Sequence, residues 1–452
     1  MKTVYVGMSG GVDSSVSALL LKEQGYHVVG IYMKNWSKDL PGMKCPWAED
    51  LADAKRVAVK LGIDFQVWDF EESYREKVVE YMLREFRAGN TPNPDIMCNQ
   101  EIKFKLFYEQ AMKEGADFIA TGHYARVRWN MVGHHFSGPA NPASMPYAGT
   151  RAEPPLDNEW KKPSEDERGE PVRSVRNIHL SRSNRKLSRE NDAPTIYPQL
   201  ARAIDENKDQ TYFLYRISEE ALAHTIFPIG VMRKPEVKKL AQERGLHNAY
   251  KKESMGVCFV GEVGMKDFLK EYIDVQPGEI REAESNQILG YHEGAVFYTI
   301  GQRHGLYLNG EKGVVNDGMP YYVVKKDAKN NIIYVSKNLN HAAMWAKELT
   351  LKDVFIRRFE YDLSRDSGGY DRGIREPSPV TTGARNPDPK KDMFEALANK
   401  RLLVRLRHRM PLIPATFDGK TLRFEEEVKR PASGQSAVLY DGEVCLGGGI
   451  IA

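Results

Sequence analysis

The amino-acid sequence predicts an α/β protein in three parts: an N-terminal domain with a parallel sheet, a small α-rich central domain and a C-terminal antiparallel β-barrel. The chain has 452 residues, too many for one ordinary core, and roughly 150 residues per domain gives about three domains. Strand and helix patterns alternate over residues 1–125, which predicts right-handed crossovers and a parallel sheet covered on both faces. Short β-type runs with frequent turns follow after about Gly290, and these favour a small barrel or sandwich.

Hydrophobic periodicity and turn residues place the elements of the N-terminal domain. The predicted strands are Thr3–Met8, His27–Tyr32, Phe65–Trp68 and Phe118–Thr121. The predicted helices are Ser14–Glu23, Trp47–Leu61, Glu72–Arg87 and, approximately, Ile102–Lys113. Because ligands of parallel sheets bind beyond the carboxyl ends of the strands, the loops that follow these strands are the expected place for a site.

The later elements are fewer and shorter. Helical patterns at Glu219–His224 and Pro235–Arg244 predict the α-rich module. The later β-type runs are Ala295–Ile300, Tyr321–Lys325, Ile332–Val335, Leu402–His408 and Ala437–Tyr440. We therefore expect domains at residues 1–215, 216–288 and 289–452, with the Cys258 loop in the second.

Two stretches are predicted to be insertions. Residues 130–200 hold 9 of the 24 prolines and show little periodicity, so we expect a long surface excursion there. A second irregular stretch covers residues 361–391. The run from Arg173 to Arg189 is basic, and it is either a solvated loop or an arm that contacts RNA.

Composition narrows the functional classes. The chain carries 65 basic and 62 acidic residues, a formal net charge of +3, which excludes a uniformly basic nucleic-acid-binding surface but allows local basic stripes. The sequence has no apolar run of 18 or more residues, so no membrane-spanning helix is expected. Four cysteines without a C-x-x-C pair are not a disulfide framework and indicate a reducing compartment.

The strongest local signal lies between the first strand and the first helix. It reads Ser9-Gly10-Gly11-Val12-Asp13-Ser14-Ser15. Two glycines let the backbone curl so that several N–H groups face one concavity, and the helix N-terminus adds partial positive charge. The serine hydroxyls can bind phosphate oxygens, and Asp13 can hold Mg²⁺ against them. The alternative is a capped turn with Asp13 or Ser14 as the N-cap.

Two cysteines lie on loops shaped by proline or glycine. Cys98 follows the run Thr91-Pro92-Asn93-Pro94-Asp95-Ile96-Met97, and Cys258 lies between Gly256 and Gly261, after Lys251 and Lys252. A thiol becomes reactive as a thiolate, which a nearby cation or helix N-terminus favours. Either cysteine is alternatively a small buried hydrophobic residue. Two such thiols in a chain with a phosphate loop indicate sulfur transfer.

A basic run near the C-terminus is a candidate nucleic-acid contact. Period-two alternation places Arg405, Arg407 and Arg409 on one strand face. A row of guanidinium groups suits phosphate binding, and the alternative is a solvated edge strand. The same alternation places His408 on the buried face, so we expect the strand to end or twist there.

The phosphate loop resembles that of the PP-loop ATP pyrophosphatases, an adenine nucleotide alpha hydrolase-like fold whose members split ATP between the α and β phosphates. Over nearly its whole length the chain is similar to the tRNA-specific 2-thiouridylase family, which replaces the 2-oxygen of the wobble uridine with sulfur. This resemblance implies a PP-loop domain, a small central domain and a tRNA-binding β-barrel. The matching stretches are Gly7–Ser15, Met33–Trp36, the Cys98 loop, Thr121–Arg126, Lys208–Gln210, the Cys258 loop, Tyr298–Arg303, Gly434-Gln435 and Cys445–Gly449.

The resemblance also implies roles for individual residues. Cys98 is the nucleophile with Asp95 beside it, and Cys258 carries a persulfide that leaves a Cys98–Cys258 disulfide. The implied nucleotide-binding residues are Gly7, Met8, Ser9, Gly10, Gly11, Val12, Asp13, Ser14, Met33 and Gly122. The implied tRNA contacts are Asn93, Pro94 and Asp95 at the target base, with His123, Lys208, Asp209, Gln210, Arg407, His408 and Gln435. ATP, Mg²⁺, tRNA and a persulfide donor such as a cysteine desulfurase system are the implied cofactors and partners.

Three alternatives differ from this expectation in mechanism or class. A different PP-loop ligase or amidotransferase that uses ammonia needs no paired thiols. An iron–sulfur version of the thiolation holds a cluster through Asp95, Cys98 and Cys258 and leaves one iron position open; we do not favour it. A nucleotide-gated tRNA-binding protein forms no thiolated product.

The resemblance implies that bacterial members of the family lack the two insertions, and the run Glu253-Ser254-Met255-Gly256 resembles the mitochondrial branch. We therefore expect a eukaryotic enzyme of the mitochondrial matrix, or alternatively a cytoplasmic one. The N-terminal residues show no transit-peptide pattern.

Overall fold

The computed structural model describes residues 1–38, 47–132, 195–251, 265–306, 308, 319–357, 394, 397–398 and 400–452. Most of the first predicted insertion and all of the second lie outside the described residues. The basic run Arg173–Arg189 and the Cys258 loop also lie outside them.

Ten α-helices and 17 strands lie in the described residues. The helices are α1 Val12–Glu23, α2 Trp47–Leu61, α3 Glu71–Tyr74, α4 Glu80–Arg87, α5 Pro94–Met97, α6 Phe107–Lys113, α7 Thr211–Leu214, α8 Glu219–Ala223, α9 Lys234–Glu243 and α10 Met265–Tyr272. The strands are β1 Thr3–Gly7, β2 His27–Lys34, β3 Asp64–Asp69, β4 Phe118–Thr121, β5 Ala125–Val132, β6 Thr195–Arg202, β7 Thr225–Ile226, β8 Gly278–Glu282, β9 Ile288–His292, β10 Tyr322–Asp327, β11 Ile332–Ser336, β12 Trp345–Ile356, β13 Leu402–Arg405, β14 Ile413–Phe417, β15 Thr421–Lys429, β16 Ser436–Asp441 and β17 Val444–Ile451.

The N-terminal sheet is parallel, with strand order β3-β2-β1-β4-β7. Val4 and Val6 of β1 are fully buried, as expected for a parallel strand covered on both faces. In α2 the buried residues Ala54, Val57 and Leu61 follow helical spacing and form its inner face. The predicted strands and helices of this domain are confirmed, and α2 and β4 have the predicted bounds.

Two of the predicted helices contain wider π-helical turns. Arg75–Val79 joins α3 to α4, and Cys98–Leu106 joins α5 to α6. The second of these helices therefore begins at Pro94, earlier than the predicted Ile102. Cys98 is the first residue of its π-helical segment, and such segments occur frequently at functional sites.

The C-terminal sheet contains a closed barrel. Six strands follow one another in the order β12-β15-β14-β13-β16-β17, and pairing of β12 with β17 closes the ring. β6 pairs with β17, and β5 lies beyond it. β5 and β6 contain residues 130–132 and 195–200, so both ends of the predicted insertion are regular strands.

A separate sheet lies between these two regions along the chain. It has the order β10-β11-β8-β9 and its own core around Ile280, Val323 and Ile333. The predicted strands at 321–325 and 332–335 exist, but they belong to this sheet and not to the C-terminal barrel. The predicted strand Ala295–Ile300 is wrong: residues Ala295–Phe297 form a 3₁₀ turn.

The helices assigned to an α-rich centre lie with the N-terminal sheet. β7 directly follows α8 and pairs with β4, and α9 packs against α1. The class of α/β protein with an N-terminal parallel sheet and a C-terminal antiparallel barrel is nevertheless confirmed. None of the described helices is long and apolar enough to cross a membrane.

Candidate active site

The phosphate-type loop Ser9–Ser15 joins β1 to α1 at the carboxyl end of the parallel sheet. The N-cap of α1 is Gly11, and no described side chain caps this helix. The hydroxyl groups of Ser14 and Ser15 donate back to the Gly11 carbonyl, at 3.2 and 2.8 Å. Asp13 and Ser14 are therefore not the N-cap, and the first turn of α1 keeps the character of an anion site.

Glycines let neighbouring backbones approach this loop closely. Gly10 has φ +75°, and a Cβ there would lie 2.4 Å from the Asp50 carbonyl oxygen. A Cβ at Gly122, just after β4, would lie 2.6 Å from the backbone nitrogen of Ser14. A side chain at either position would fill the space against the loop. The residues present therefore fit a phosphate group bound by backbone.

Met33 and Gly7 lie on adjacent strands beside the loop. A Cβ at Gly7 would lie 2.9 Å from the terminal methyl of Met33, and Met33 is partly buried against the N-terminal core. The placement of Met33 and Gly122 at the sheet edge agrees with the expected nucleotide position. Their contact with the nucleotide stays a prediction.

Asp13 has partners that the sequence analysis missed. Its carboxylate accepts hydrogen bonds from the Lys234 ammonium at 2.7 and 2.8 Å and from the Tyr124 hydroxyl at 3.0 Å. In the described part of the chain, no group of three or more His, Cys, Asp or Glu side chains could hold a metal ion. The Mg²⁺ role of Asp13 stays a prediction.

The segment that precedes the Cys258 loop is anchored to the phosphate loop. The Asn248 amide donates at 2.9 Å to both the Gly10 carbonyl and the Ser15 hydroxyl. The Lys251 ammonium lies 2.8 Å from an Asp50 carboxylate oxygen and 2.6 Å from one of Asp53. Lys251 thus forms ion pairs with two carboxylates of α2. These contacts do not support the expectation that Lys251 favours a Cys258 thiolate.

Cys98 lies at the end of a short capped helix. The Asn93 side chain accepts a hydrogen bond from the Ile96 backbone at 3.4 Å, and Pro94 fixes the first helical position. The Cys98 thiol is 3% exposed. Burial raises the pKa of the Asp95 carboxyl above its ordinary value, and the positive charge of Lys103 opposes this effect.

Several predicted tRNA contacts gather around this helix. α5 packs against α7, and the His408 ring lies 4.6 Å from the Phe213 ring of α7. The Gln435 amide donates to the Thr91 carbonyl at 2.7 Å, which ties the C-terminal barrel to the loop that leads to Cys98. The structure therefore brings the Cys98 helix and predicted residues of the barrel together.

The predicted arginine row does not exist. Strand β13 ends at Arg405, and the Arg405 side chain is buried with its guanidinium 2.7 Å from Asp209. Arg407 is exposed beyond the strand, and Arg409 has φ +65°. The expectation that the strand ends near His408 is confirmed. Arg405 was wrongly grouped with a nucleic-acid surface because its buried partner lies 196 positions away.

Asp209 and Gln210 have structural partners. Asp209 is buried and accepts hydrogen bonds from Arg405 and from Thr211. Gln210 exchanges two hydrogen bonds with the backbone of Tyr124, at 2.8 and 2.9 Å. Since Tyr124 also contacts Asp13, this pair connects the phosphate loop to α7. Lys208 is half-buried beside Asp209, and the tRNA contacts of all three residues stay predictions.

His123 is held within a ring cluster. Its Nδ1 lies 2.8 Å from the Thr121 hydroxyl, and its ring packs against Phe104 and Phe227. Burial lowers the pKa of His123 well below its ordinary value, with the Lys103 charge acting in the same direction. His123 is therefore neutral near pH 7, and a contact with tRNA would be a hydrogen bond without an ion pair.

Three family models match consecutive parts of the chain and define its class of protein. Residues 2–142 and 181–262 match the family model for the tRNA methyl transferase HUP domain. Residues 266–337 match a tRNA methyl transferase PRC-barrel domain, and residues 389–451 match an aminomethyltransferase β-barrel domain. The boundaries differ from the predicted 215/216 and 288/289, and the Cys258 segment falls within the HUP match. The chain is thus a HUP-domain protein with a PP-loop and two further β-domains.

Relatives then identify the family. The tRNA-specific 2-thiouridylase MnmA of Pectobacterium carotovorum is 38% identical over 456 residues, covering 100% of this chain and 97% of the relative. The proteins of the same name from Pseudomonas syringae and Vibrio vulnificus are each 37% identical, covering 100% of this chain and 94% and 96% of the relative. This chain belongs to the tRNA-specific 2-thiouridylase family.

Proposed function

We propose that this protein catalyses the ATP-dependent 2-thiolation of the wobble uridine of tRNA. One observation carries the proposal beyond family membership. The Tyr124–Gln210 pair, whose two hydrogen bonds measure 2.8 and 2.9 Å, connects the glycine-lined phosphate loop to α7, and α7 packs against the capped helix that precedes Cys98. The loop for nucleotide chemistry and the helix for thiol chemistry are therefore linked by direct contacts.

The phosphate loop binds and orients the nucleotide. The backbone N–H groups at the start of α1 point towards the anion, and the Ser9 and Ser14 side chains, 3.3 Å apart, present hydroxyls on the same side. ATP supplies an adenylyl group that turns the uridine O2 into a leaving group, with release of pyrophosphate. Asp13 and its partners place charge beside the departing phosphates.

The helix that carries Cys98 receives the target base. C2 of a stacked uridine is unreachable, so the base must flip out of the anticodon stack. Asn93 caps that helix, and Pro94 and Asp95 are its first two residues, one turn before Cys98. The aromatic pair of His408 and Phe213 offers a stacking surface for nucleotides nearby.

The sulfur-transfer step uses two cysteines. The terminal sulfur of a Cys258 persulfide forms a bond to C2, and AMP leaves with the former O2. The Cys98 thiolate attacks Cys258 Sγ, the persulfide S–S bond breaks, and a Cys98–Cys258 disulfide forms. The transferred sulfur gains two electrons and the two cysteines lose two, so a reductant must later restore the thiols. Support for this step comes from the position of Cys98, since Cys258 lies outside the described residues.

Partners and location follow from the same chemistry. A persulfide donor, such as a cysteine desulfurase system, must load Cys258, and Mg²⁺ accompanies the nucleotide in this proposal. We propose the mitochondrial matrix as the location, on the sequence features of the mitochondrial branch. Import of a full-length fluorescent fusion into mitochondria tests it, and a fusion confined to the cytoplasm would contradict it.

The test is mass spectrometry of nucleosides from tRNA incubated with the protein, ATP, Mg²⁺ and a persulfide source. The proposal predicts 2-thiouridine only when ATP and wild-type protein are both present. An ammonia-dependent product would instead favour a different PP-loop ligase. Activity that requires stoichiometric iron in anaerobically purified protein would favour the iron–sulfur version.

A further inference from the structure

Lys234 reaches the phosphate loop from a distant part of the chain. It is 221 positions from Asp13, yet its Nζ lies 2.7 and 2.8 Å from the two Asp13 carboxylate oxygens. The Lys234 side chain is only 9% exposed, whereas that of Asp13 is 31% exposed. The positive charge is therefore largely withdrawn from water and lies against the Asp13 carboxylate of the loop.

The backbone of Lys234 is fixed by contacts that are independent of Asp13. Lys234 is the first residue of α9, and its N–H donates to an Asp205 carboxylate oxygen at 2.9 Å. Pro235 restricts the next position to helical geometry, and α9 packs against α1 with Val237 fully buried. Because its backbone is fixed, the lysine side chain loses little further conformational entropy when it makes a new contact.

Charge balance explains why a phosphate loop tolerates an acidic residue. A lone carboxylate in the first turn of α1 would repel the phosphates that this turn attracts. The Lys234 ammonium neutralises Asp13, and the Tyr124 hydroxyl adds a neutral donor at 3.0 Å. The ion pair therefore offsets the repulsion that Asp13 alone would exert on the phosphates.

We propose that Lys234 is a phosphate-contacting residue of the nucleotide site and that Asp13 positions it. An ammonium group has three N–H donors and donates to both carboxylate oxygens of Asp13, so Lys234 can give one of these hydrogen bonds to a phosphate oxygen at the loop and keep the other. Negative charge on the departing pyrophosphate grows during adenylyl transfer, and a fixed cation stabilises it at that moment. This inference rests on the proposed ATP-binding function, and it gives Asp13 a role that needs no metal ion.

The test measures binding to the full-length protein by titration calorimetry in EDTA. The probes are α,β-methylene-ATP, which carries the phosphates, and adenosine, which carries none. We expect Lys234→Met to weaken binding of the analogue by at least about 10-fold, the scale of a lost charged hydrogen bond, with adenosine binding unchanged. Lys239→Met is the matched control, because Lys239 is on the same helix, is 76% exposed and pairs with Glu243; both ligands should bind it as they bind wild type.

Three outcomes would overturn the inference. Wild-type affinity of Lys234→Met for the analogue, with adenosine binding intact, removes Lys234 from the phosphate site. If Lys234→Met loses both ligands, Lys234→Gln is measured by the same criterion, and loss of both ligands again would assign Lys234 a purely structural role. Failure of wild-type protein to bind the analogue would reject the proposed ATP site itself, which separates that failure from one confined to Lys234.

Discussion

The phosphate loop and the end of strand β13 both carry residues whose pattern predicts phosphate binding, and the structure uses them differently. In the loop, the backbone conformation of Ser9–Ser15 follows from its own glycines and from the adjoining helix. At β13, the Arg405 guanidinium turns inward to a buried carboxylate, and only Arg407 and Arg409 stay exposed. A local motif is therefore a safer guide to function than a charge pattern, because a charged side chain takes its role from a partner that is distant in sequence.

The largest expected effect separates two buried thiols, that of Cys98 in the N-terminal domain and that of Cys445 in the barrel. Cys98→Ser should lower thiolation by more than about 10³-fold, as expected for loss of a nucleophile, and Cys258→Ser should do the same. Cys445→Ala is the control. Cys445 is 1% exposed in β17, and burial raises its pKa to about 12, with Asp209 contributing. It should keep near-normal activity, measured as 2-thiouridine formed per minute. Near-normal activity of Cys98→Ser would instead reject the two-thiol mechanism.

The second prediction concerns stability of the barrel. Arg405→Ala should lower the free energy of unfolding by up to about 3–5 kcal/mol. It removes the nearest ion-pair partner of the buried Asp209 carboxylate, at 2.7 Å, and leaves only Arg202, at 3.6 Å, in the described part of the chain. Arg401→Ala is the control, since its pair with Glu425 is 67% and 60% exposed, and its cost should stay below about 1 kcal/mol. Chemical denaturation measures both. Equal stability of the two variants would show that Arg405 behaves like an exposed arginine and that its pair with Asp209 does not stabilise the barrel.

The third prediction addresses the arginine that remains exposed. Arg407→Ala should weaken tRNA binding by about 1–3 kcal/mol, the scale of a lost charged hydrogen bond, while the midpoint of unfolding stays unchanged. Titration of tRNA at several salt concentrations measures this. The slope of the logarithm of the binding constant against the logarithm of salt concentration should become shallower by about one, the value for one lost phosphate contact. An unchanged affinity would remove the β13 end from the tRNA surface.

The fourth prediction compares alanine substitutions at two glycines of the barrel. Gly434 has φ +91°, and a Cβ there would lie 3.0 Å from the Thr91 nitrogen, whereas Gly442 has φ +56° and open space around it. Alanine at either position strains the backbone by about 1–2 kcal/mol, but only Gly434→Ala should displace the loop that leads to Cys98. We expect thiolation to fall about 10- to 100-fold for Gly434→Ala and little for Gly442→Ala. Equal rates at saturating tRNA would show that the barrel does not position the loop.

The smallest expected effect is a pH-dependent change in stability when Asp95 is replaced. Since burial raises the folded-state pKa of Asp95 above the ordinary 3.8, its contribution to stability is present below that value and is lost as pH rises through the folded-state pKa. Asp95→Asn should therefore raise the melting temperature at pH 7, with a gain that shrinks towards pH 4, while thiolation falls. The exposed Asp274→Asn should show no such trend. A gain that is constant with pH would contradict the burial of Asp95.

The sequence predicted most of the elements and loops whose conformation is determined by residues close together in the chain. Helical spacing placed α2, and a short apolar run placed β4, with the observed bounds. The loop Ser9–Ser15 was identified because its glycines and serines are consecutive. Strand β6 was not predicted because Pro198 lies within it and proline normally argues against a strand.

The remaining site residues depend on tertiary contacts. Lys234, Tyr124 and Asn248 reach the loop from separate segments. The pattern at Lys234-Pro235 indicates a helix start, but nothing local indicates that its side chain reaches Asp13. The partition of strands between the two later sheets also depends on pairing at long range, which periodicity does not reveal.

The most direct test of the account is single-turnover thiolation at saturating tRNA, with Cys98→Ser and Arg407→Ala measured beside the wild type. The account predicts that Cys98→Ser binds tRNA normally and forms no 2-thiouridine. Arg407→Ala should need more tRNA but then react at the wild-type rate. Product from Cys98→Ser, or a slow rate for Arg407→Ala that saturating tRNA does not restore, would contradict the division between a sheet edge that performs the chemistry and a barrel that holds the substrate.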